Sequence, residues 1–168
     1  MKKNKLIIGN AGSGKTEKLK SLAENAIQLG HSVCVIENSF GSGDTPILKY
    51  LRTKGIEANS SSLLEVSFLD EYESDAPVLV CSFDNERSYS IRQELIGPLV
   101  EIFTKFDVIL IDESVYLLYP FIDNDEQDML IERLFEFEKE LFITTQSVEQ
   151  LQLSNCTLEK FEIEKVER

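Results

Sequence analysis

The residues with the clearest chemical potential form an octet near the start of the chain, Gly9-Asn10-Ala11-Gly12-Ser13-Gly14-Lys15-Thr16. The octet matches the pattern G-x-x-x-x-G-K-[ST], whose glycines let main-chain N–H groups surround phosphate oxygens. It follows an apolar run and precedes a segment with helical periodicity, so a helix N-terminus adds favourable partial charge. Lys15 would neutralise the β and γ phosphates, and Thr16 would place its hydroxyl on Mg²⁺. The octet, here called the P-loop, therefore predicts a nucleotide-binding site.

A pair of acids, Asp112 and Glu113, directly follows the apolar run Val108 to Ile111 and looks like a Walker B motif. Asp112 would hold the hydration shell of Mg²⁺, and Glu113 would activate a water for in-line attack on the γ-phosphate of ATP. This role favours an ATPase over a small-molecule kinase, which needs a second pocket for its acceptor. The alternative is that the acids merely end a strand.

A third polar group ends another apolar run, where Leu141 to Ile143 is followed by Thr144-Thr145-Gln146-Ser147. A polar side chain at this place can hydrogen-bond the attacking water or the γ-phosphate. We expect Gln146 to do so, and we count it with Lys15 and Glu113 as a candidate catalytic residue. Alternatively the group caps the helix that follows, with Ser147 as the N-cap.

Five short runs of β-branched and aliphatic residues read as buried strands of a parallel sheet, because strands covered on both faces are continuously apolar. They are Leu6 to Ile8, Val33 to Ile36, Val78 to Cys81, Val108 to Ile111, and Leu141 to Thr144. A last strand is expected from Leu158 to Val166. The sequence does not place the segment from Ile56 to Ala76 in the fold, apart from one helix start given below.

Helical periodicity marks the segments between these strands. The helix after the P-loop should end at Gly30, and a second should cover Pro46 to Thr53. Ser62 and Glu65 have the spacing of a capping box and predict the start of a third helix.

Two longer segments also have helical periodicity, Arg87 to Phe103 and Asp125 to Glu138. Gly97-Pro98 should break or kink the first of them. The second places Leu130, Leu134 and Phe137 on one face. Alternating strands and helices predict an α/β fold in one domain spanning residues 1–168, with a ligand at the carboxyl ends of the strands.

The balance of charge limits the partners of the protein. Seventeen Lys and Arg against 30 Asp and Glu give a net charge of -13. Because phosphate backbones repel acidic surfaces, this excludes a broad DNA-coating surface. A DNA contact confined to one place, as in the pore of a ring, and a basic protein partner remain open.

The remaining composition assigns no further site. The three cysteines, Cys34, Cys81 and Cys156, include no C-x-x-C pair and suggest neither a disulfide framework nor a zinc site. His31 sits at a turn and receives no role. The basic start of the chain lacks the apolar stretch of a signal peptide, and no run is long enough to cross a bilayer, so we expect a cytoplasmic protein without membrane insertion.

Two stretches resemble the HerA/FtsK-type ATPases that pump DNA or serve conjugation and type IV secretion. They are Ile111-Asp112-Glu113-Ser114-Val115-Tyr116-Leu117-Leu118, and Thr144-Thr145-Gln146-Ser147 with Gln150-Leu151. The resemblance implies a three-layer P-loop NTPase fold of the RecA-like class, with a mostly parallel central sheet flanked by helices. It also implies that the strand bearing Gln146 lies between the P-loop strand and the Asp112 strand.

The same resemblance implies Mg²⁺-dependent ATP hydrolysis coupled to DNA movement or to assembly of a transfer machine. It further implies a ring or other homo-oligomer in which a neighbour's arginine reaches the phosphate. The nearest candidates for that arginine are Arg133, Arg92 and Arg87. Where the group has basic residues before the Gln146 strand, this chain reads Glu136-Phe137-Glu138-Lys139-Glu140.

Two other functions stay open beside the ATPase. One is a regulatory or adaptor protein that binds ATP with little turnover, and the other is a small-molecule or nucleotide kinase, although the sequence shows no Arg-rich lid. A GTPase is disfavoured because the chain contains no N-K-x-D motif for reading guanine.

Overall fold

The computed structural model of the chain describes residues 4–39, 44–62, 65, 76–83, 97, 100–112, 131–151 and 153–167. Its seven described strands join in one sheet with the order β3-β4-β2-β5-β6-β1-β7, and every pairing is parallel. The strands are β1 Lys5–Ile8, β2 Val33–Asn38, β3 Ala58–Ser62, β4 Val78–Phe83, β5 Val108–Ile111, β6 Glu140–Thr145 and β7 Glu162–Lys165. All five strands predicted from apolar runs are confirmed.

The centre of the sheet has the order that the resemblance implied. Strand β6, which precedes Gln146, lies between β1 and β5. Ile8 pairs with Thr145, and Ile111 pairs with Ile143, so the three strands end almost level. Because all strands run in one direction, the P-loop, Asp112 and the polar end of β6 share one edge of the sheet.

Two helices follow the predicted bounds closely. Helix α1 spans Lys15–Gln28 and buries Leu19, Ala23 and Ala26, and Gly30 has the positive φ of 81° expected after a helix end. Helix α2 spans Pro46–Thr53, as predicted, with proline in its first turn.

The sheet is covered on both faces by apolar clusters. Leu6 and Cys34 belong to one cluster with apolar residues of two helical segments. These residues are Val100, Ile102, Phe103, Ile131 and Leu134. The strand neighbours of the first two, Ile7 and Val35, pack with α1 and α2 on the other face. Successive strand residues point to opposite faces, so a run of apolar residues supplies both clusters. The result is a helix–sheet–helix arrangement in three layers.

Strand β3 lies inside the segment that the sequence left unassigned. Its polar sequence, Ala-Asn-Ser-Ser-Ser, carries no apolar run, and it is an edge strand that pairs with β4. At its end the predicted capping box is confirmed: the Glu65 N–H donates to Ser62 Oγ at 3.1 Å, and the Ser62 N–H donates to Glu65 Oε2 at 3.1 Å.

Two predicted boundaries were wrong. Leu158 does not begin the last strand but ends a short helix, Asn155–Leu158, which Ser154 caps through a bond from the Thr157 N–H. The helix predicted to reach Glu138 is helical only to 136 in the described part, and Glu138 has a φ of 52°. Phe137 therefore lies in a turn and is 45% exposed, rather than on the buried face.

Of the segment 87–103, residues 97 and 100–103 are helical and the others lie outside the described residues. Cys34 and Cys81 are buried free thiols, and Cys156 is an exposed one. Within the described part of the chain, no helix is both long and apolar enough to cross a membrane.

Candidate nucleotide site

The P-loop has the backbone geometry of an anion cradle. Gly12 and Gly14 have φ values of 76° and 99°, which residues with a Cβ rarely adopt. The Ser13 N–H donates to the Asn10 carbonyl at 3.0 Å and closes the turn. The loop leads straight into α1, whose N-terminus no described side chain caps. The first N–H groups of the helix are thus available to an anion.

Gly9 permits the P-loop to pack against the end of the chain. A Cβ on Gly9 would lie 2.3 Å from Ser13 Oγ and 2.6 Å from the Val166 carbonyl oxygen. The Gly9 N–H also donates to the Thr145 carbonyl at 3.2 Å, which ties the loop to the end of β6.

Lys15 lies folded inside the loop with 4% of its surface exposed. Its Nζ donates to the carbonyl oxygens of Gly9 at 2.6 Å and Asn10 at 3.0 Å. Both acceptors are neutral, so phosphate oxygens would be stronger partners for the ammonium group. The ammonium group of Lys15 therefore already lies inside the loop that would surround a bound phosphate.

Asp112 connects the P-loop to the sheet. Its Oδ2 accepts a hydrogen bond from Thr16 Oγ1 at 2.8 Å, and its Oδ1 accepts one from Thr144 Oγ1 at 2.7 Å. Its N–H donates to the Ile36 carbonyl at 2.9 Å, and 7% of the residue is exposed. Hydroxyl and carboxylate oxygens are the ligands that Mg²⁺ prefers, so Thr16 and Asp112 fit this ion together with phosphate oxygens and waters.

A second buried acid, Glu37, stands beside Asp112 and was missed in the sequence. It follows Ile36, which pairs with Ile111, and it is 1% exposed. Its Oε1 accepts the N–H of Ile47 in the first turn of α2 at 2.9 Å, and its Oε2 has no hydrogen-bond partner in the described part.

Burial raises the pKa of the Glu37 carboxyl, and the charge of Asp112 raises it further, while the nearby Thr45 hydroxyl and the Ile47 N–H lower it. The signal for this residue was present in the sequence. Glu37 follows an apolar strand in the same way as Asp112 does.

The residues at the polar end of β6 make different contacts. Gln146 is exposed, and its contact with a water or a γ-phosphate stays a prediction. The Thr145 hydroxyl donates to the Ser147 carbonyl at 3.1 Å. The main-chain N–H of Glu149 and the Ser147 hydroxyl hold the pKa of the Glu149 carboxyl below its usual value, at the start of the 3-10 helix Val148–Leu151. The Ser147 hydroxyl thus contacts the Glu149 carboxylate, and its role as an N-cap stays a prediction.

Several predicted site residues lie outside the described residues, namely Glu113, Arg87, Arg92 and the stretch 114–118. Arg133 is described and exposed, and it lines a surface cavity together with Glu101, Glu136 and Phe137. Its role as an arginine that reaches a neighbour's phosphate stays a prediction.

A cavity of about 500 Å³ adjoins the P-loop. It is lined by Asn10, Ala11, Gly12, Ser13, Val166 and Glu167. Ser13 is 9% exposed, and its Oγ has no hydrogen-bond partner among the described residues. The cavity thus offers space and polar groups next to the phosphate cradle.

The sequence itself matches no protein-family profile, and no curated protein resembles it significantly. Solved structures do resemble the fold. B204, the DNA-packaging ATPase of Sulfolobus turreted icosahedral virus, has 17% identity and a TM-score of 0.63, with 97% of this chain and 75% of B204 covered.

Two cellular proteins give similar results. FlaH, a flagellar accessory protein of Methanocaldococcus jannaschii, has 16% identity and a TM-score of 0.54 over 94% of this chain and 65% of FlaH. AMPPCP-bound DnaA of Aquifex aeolicus has 14% identity and a TM-score of 0.52 over 99% of this chain but only 41% of DnaA. At such low identities the likeness concerns the fold, which is the three-layer α/β fold of P-loop NTPases.

Proposed function

We propose that this chain binds ATP with Mg²⁺ on its P-loop and hydrolyses the bond between the β and γ phosphates. The observation that carries the proposal is the bond between Thr16 and Asp112 at 2.8 Å, at the start of the helix that follows the P-loop. A glycine-rich turn alone would bind an anion. A hydroxyl and a carboxylate joined beside it add the oxygen ligands of a nucleotide-bound Mg²⁺.

Each residue has a separate task in this proposal. Lys15 leaves the Gly9 and Asn10 carbonyls for the β and γ phosphates, while Thr16 and Asp112 hold the metal ion and its waters. When bound, Mg²⁺ supplies neutralisation of the charge that develops on the phosphate oxygens.

The two remaining candidates, Glu113 and Gln146, would act on the attacking water. Glu113 accepts a proton from the water and aligns it in the proposed reaction, and Gln146 hydrogen-bonds the water or the γ-phosphate. Support for Glu113 is its place directly after Asp112 in the sequence.

ATP is the proposed nucleotide for two reasons. The chain has no N-K-x-D motif. In addition, the genome packaging NTPase B204 of Sulfolobus turreted icosahedral virus 2, which has a similar fold, has been solved with ATP-gammaS and with AMPPCP. The cavity beside Ser13 and Glu167, of about 500 Å³, can accommodate a nucleoside outside the phosphate cradle.

The proposed purpose of hydrolysis is movement of DNA or assembly of a transfer machine. It rests on the HerA/FtsK-type motifs and on a fold shared with B204, a DNA-packaging ATPase. With a net charge of -13, a DNA contact would be confined to a small part of the surface, as in a ring of copies. An arginine of a neighbouring copy, with Arg133 as the described candidate, would complete each site.

Thermal unfolding with different nucleotides tests the binding step. At about 100 times its dissociation constant, a ligand stabilises the folded state by about 2.7 kcal/mol, which raises the melting temperature of a chain of this size by about 5–10 °C. We expect this shift with ATP and Mg²⁺, a smaller one with GTP, and none for Lys15→Ala. Equal shifts for Lys15→Ala and the wild type would contradict binding at the P-loop.

Turnover tests the chemical step and its purpose. We expect Glu113→Gln to bind ATP as the wild type does and to release no phosphate; unchanged turnover would remove Glu113 from the mechanism. Phosphate release with and without DNA, together with the mass in solution with ATP, tests coupling. A motor assembles and responds to DNA.

An adaptor that binds ATP with little turnover is the second candidate. The acidic stretch Glu136-Phe137-Glu138-Lys139-Glu140 favours it, because the ATPase group has basic residues at that place. An adaptor would show the melting shift with ATP but no phosphate release and no assembly. A kinase would release little phosphate until a small-molecule acceptor is added.

A further inference from the structure

A buried hydroxyl on β6 contacts the carboxylate of Asp112, the candidate metal ligand, at the oxygen that Thr16 does not contact. Thr144 is fully buried, and its Oγ1 donates to Asp112 Oδ1 at 2.7 Å. The other oxygen of the same carboxylate, Oδ2, accepts the bond from Thr16 at 2.8 Å. The two carboxylate oxygens thus accept hydrogen bonds from two different elements, helix α1 and strand β6.

We propose that Thr144 is a positioning residue that fixes the Asp112 carboxylate for a nucleotide-bound Mg²⁺. This inference rests on the proposed function of the same site. The torsion that turns an aspartate carboxylate is broad and has no strong intrinsic minimum. A donor on Oδ1 therefore selects one orientation, in which Oδ2 faces Thr16 and the place of the metal ion.

The chemistry of β6 supports a specific purpose for this hydroxyl. After its first residue, Glu140, the strand is apolar up to its polar end, with Leu141, Phe142 and Ile143 all buried. Valine has nearly the shape of threonine, and a hydroxyl buried without a partner is costly. Thr144 avoids that cost by donating to Asp112, so its hydroxyl links the strand to the carboxylate.

The adjacent residue provides a matched control. Thr145 is also buried, at 1% exposure, and lies next to Thr144 on the same strand. Its side chain points to the other face of the sheet, and its hydroxyl donates to the Ser147 carbonyl. Thr145→Val removes the same chemical group from the same strand without touching Asp112.

The test is calorimetric titration of ATP into the full chain, first in EDTA and then at a series of free Mg²⁺ concentrations. Removing a partner that orients a metal ligand typically weakens metal affinity by about 10- to 100-fold. For Thr144→Val we expect the Mg²⁺ concentration at half-effect to rise by about this factor, while ATP affinity in EDTA stays at the wild-type value. Thr144→Ser, which keeps the hydroxyl, and Thr145→Val should retain the wild-type Mg²⁺ requirement.

A wild-type Mg²⁺ requirement in Thr144→Val would overturn the inference, and so would an equal shift in Thr145→Val. Circular dichroism melting shows whether each variant folds. If Thr144→Val does not fold, Thr144→Ala replaces it, because alanine adds no carbon beside Asp112. We expect the same rise in the Mg²⁺ concentration at half-effect for Thr144→Ala. Failure of the proposed function has a different signature. In that case the wild type itself binds no ATP, or binds it equally with EDTA and with Mg²⁺.

Discussion

Gly9 packs closely against Val166, which follows β7, so a larger residue at position 9 should lower the free energy of unfolding. In Gly9→Ala the new Cβ would lie 2.3 Å from Ser13 Oγ and 2.6 Å from the Val166 carbonyl oxygen. The Ser13 hydroxyl can rotate away, but the Ser13 Cβ lies 3.0 Å from the new Cβ and the Val166 carbonyl belongs to the main chain. Both residues are held by main-chain hydrogen bonds. The Ser13 N–H is bonded to Asn10 at 3.0 Å, and the Val166 N–H is bonded to the Ile8 carbonyl at 2.8 Å. The P-loop or the chain after β7 must therefore shift.

Overpacking of this kind costs about 1–3 kcal/mol. The lower entropy of the unfolded alanine chain offsets about 0.4–1 kcal/mol of that loss. We expect the free energy of unfolding to fall by up to about 2.6 kcal/mol, which lowers the melting temperature by up to about 5–10 °C. ATP affinity should fall as well, since the shift displaces the phosphate cradle.

Gly97→Ala is the matched control for Gly9→Ala. Among the described residues, no atom lies within 4 Å of a Cβ on Gly97; its φ is not positive, and the residue is helical. Alanine in place of glycine inside a helix stabilises by about 0.5–1 kcal/mol, so this variant should be as stable as the wild type or more so. Urea denaturation and ATP titration of both variants provide the measurement. A Gly9→Ala protein with wild-type stability and ATP affinity would refute the packing argument.

Two buried or paired acids predict opposite dependences on pH. The pKa of Glu37 is raised, so its folded state holds the proton more tightly and stability falls as pH rises from about 4.3 through the folded pKa. In EDTA, urea unfolding should show that Glu37→Gln loses less stability than the wild type as pH rises from about 4 to about 8, and parallel losses would contradict this. Lys18 and then Lys5 hold the pKa of Glu164 below its usual value, so its stabilisation is present above the unfolded pKa and disappears as pH falls through the folded pKa. Glu164→Gln should therefore cost about 1 kcal/mol or less at pH 7 and nothing at strongly acidic pH or in high salt. A cost independent of pH and salt would exclude an electrostatic origin.

The local patterns of the sequence predicted most of the fold. Each apolar run became a strand because a doubly covered parallel strand needs no polar alternation, and α2 has the bounds that Pro46 and the helical period indicated. Strand β3 escaped prediction because its serines form a strand through pairing with β4, which local composition does not encode. Leu158 was assigned to the wrong element because the cap of Ser154 outweighed a weak alternation.

The site was predictable to the extent that its motifs are continuous in sequence. The P-loop octet lies in one stretch, and Asp112 ends its own strand, so Thr16 and Asp112 could be expected to meet at one sheet edge. The contact of Thr144 with Asp112 depends on the side-by-side arrangement of β6 and β5, which no local pattern contains. Glu37 follows an apolar run in the sequence, but its position beside Asp112 depends on the pairing of β2 with β5.

Phosphate release from ATP by the wild type and Asp112→Asn, measured across free Mg²⁺ concentrations, tests the central claim most directly. The asparagine keeps the size of the side chain but removes the charge that holds the metal ion. We expect Mg²⁺-dependent turnover in the wild type, a loss of at least about 100-fold in Asp112→Asn, and similar ATP affinity for both proteins in EDTA. Equal turnover in the two proteins, or no turnover by the wild type with or without DNA, would contradict the hydrolytic site.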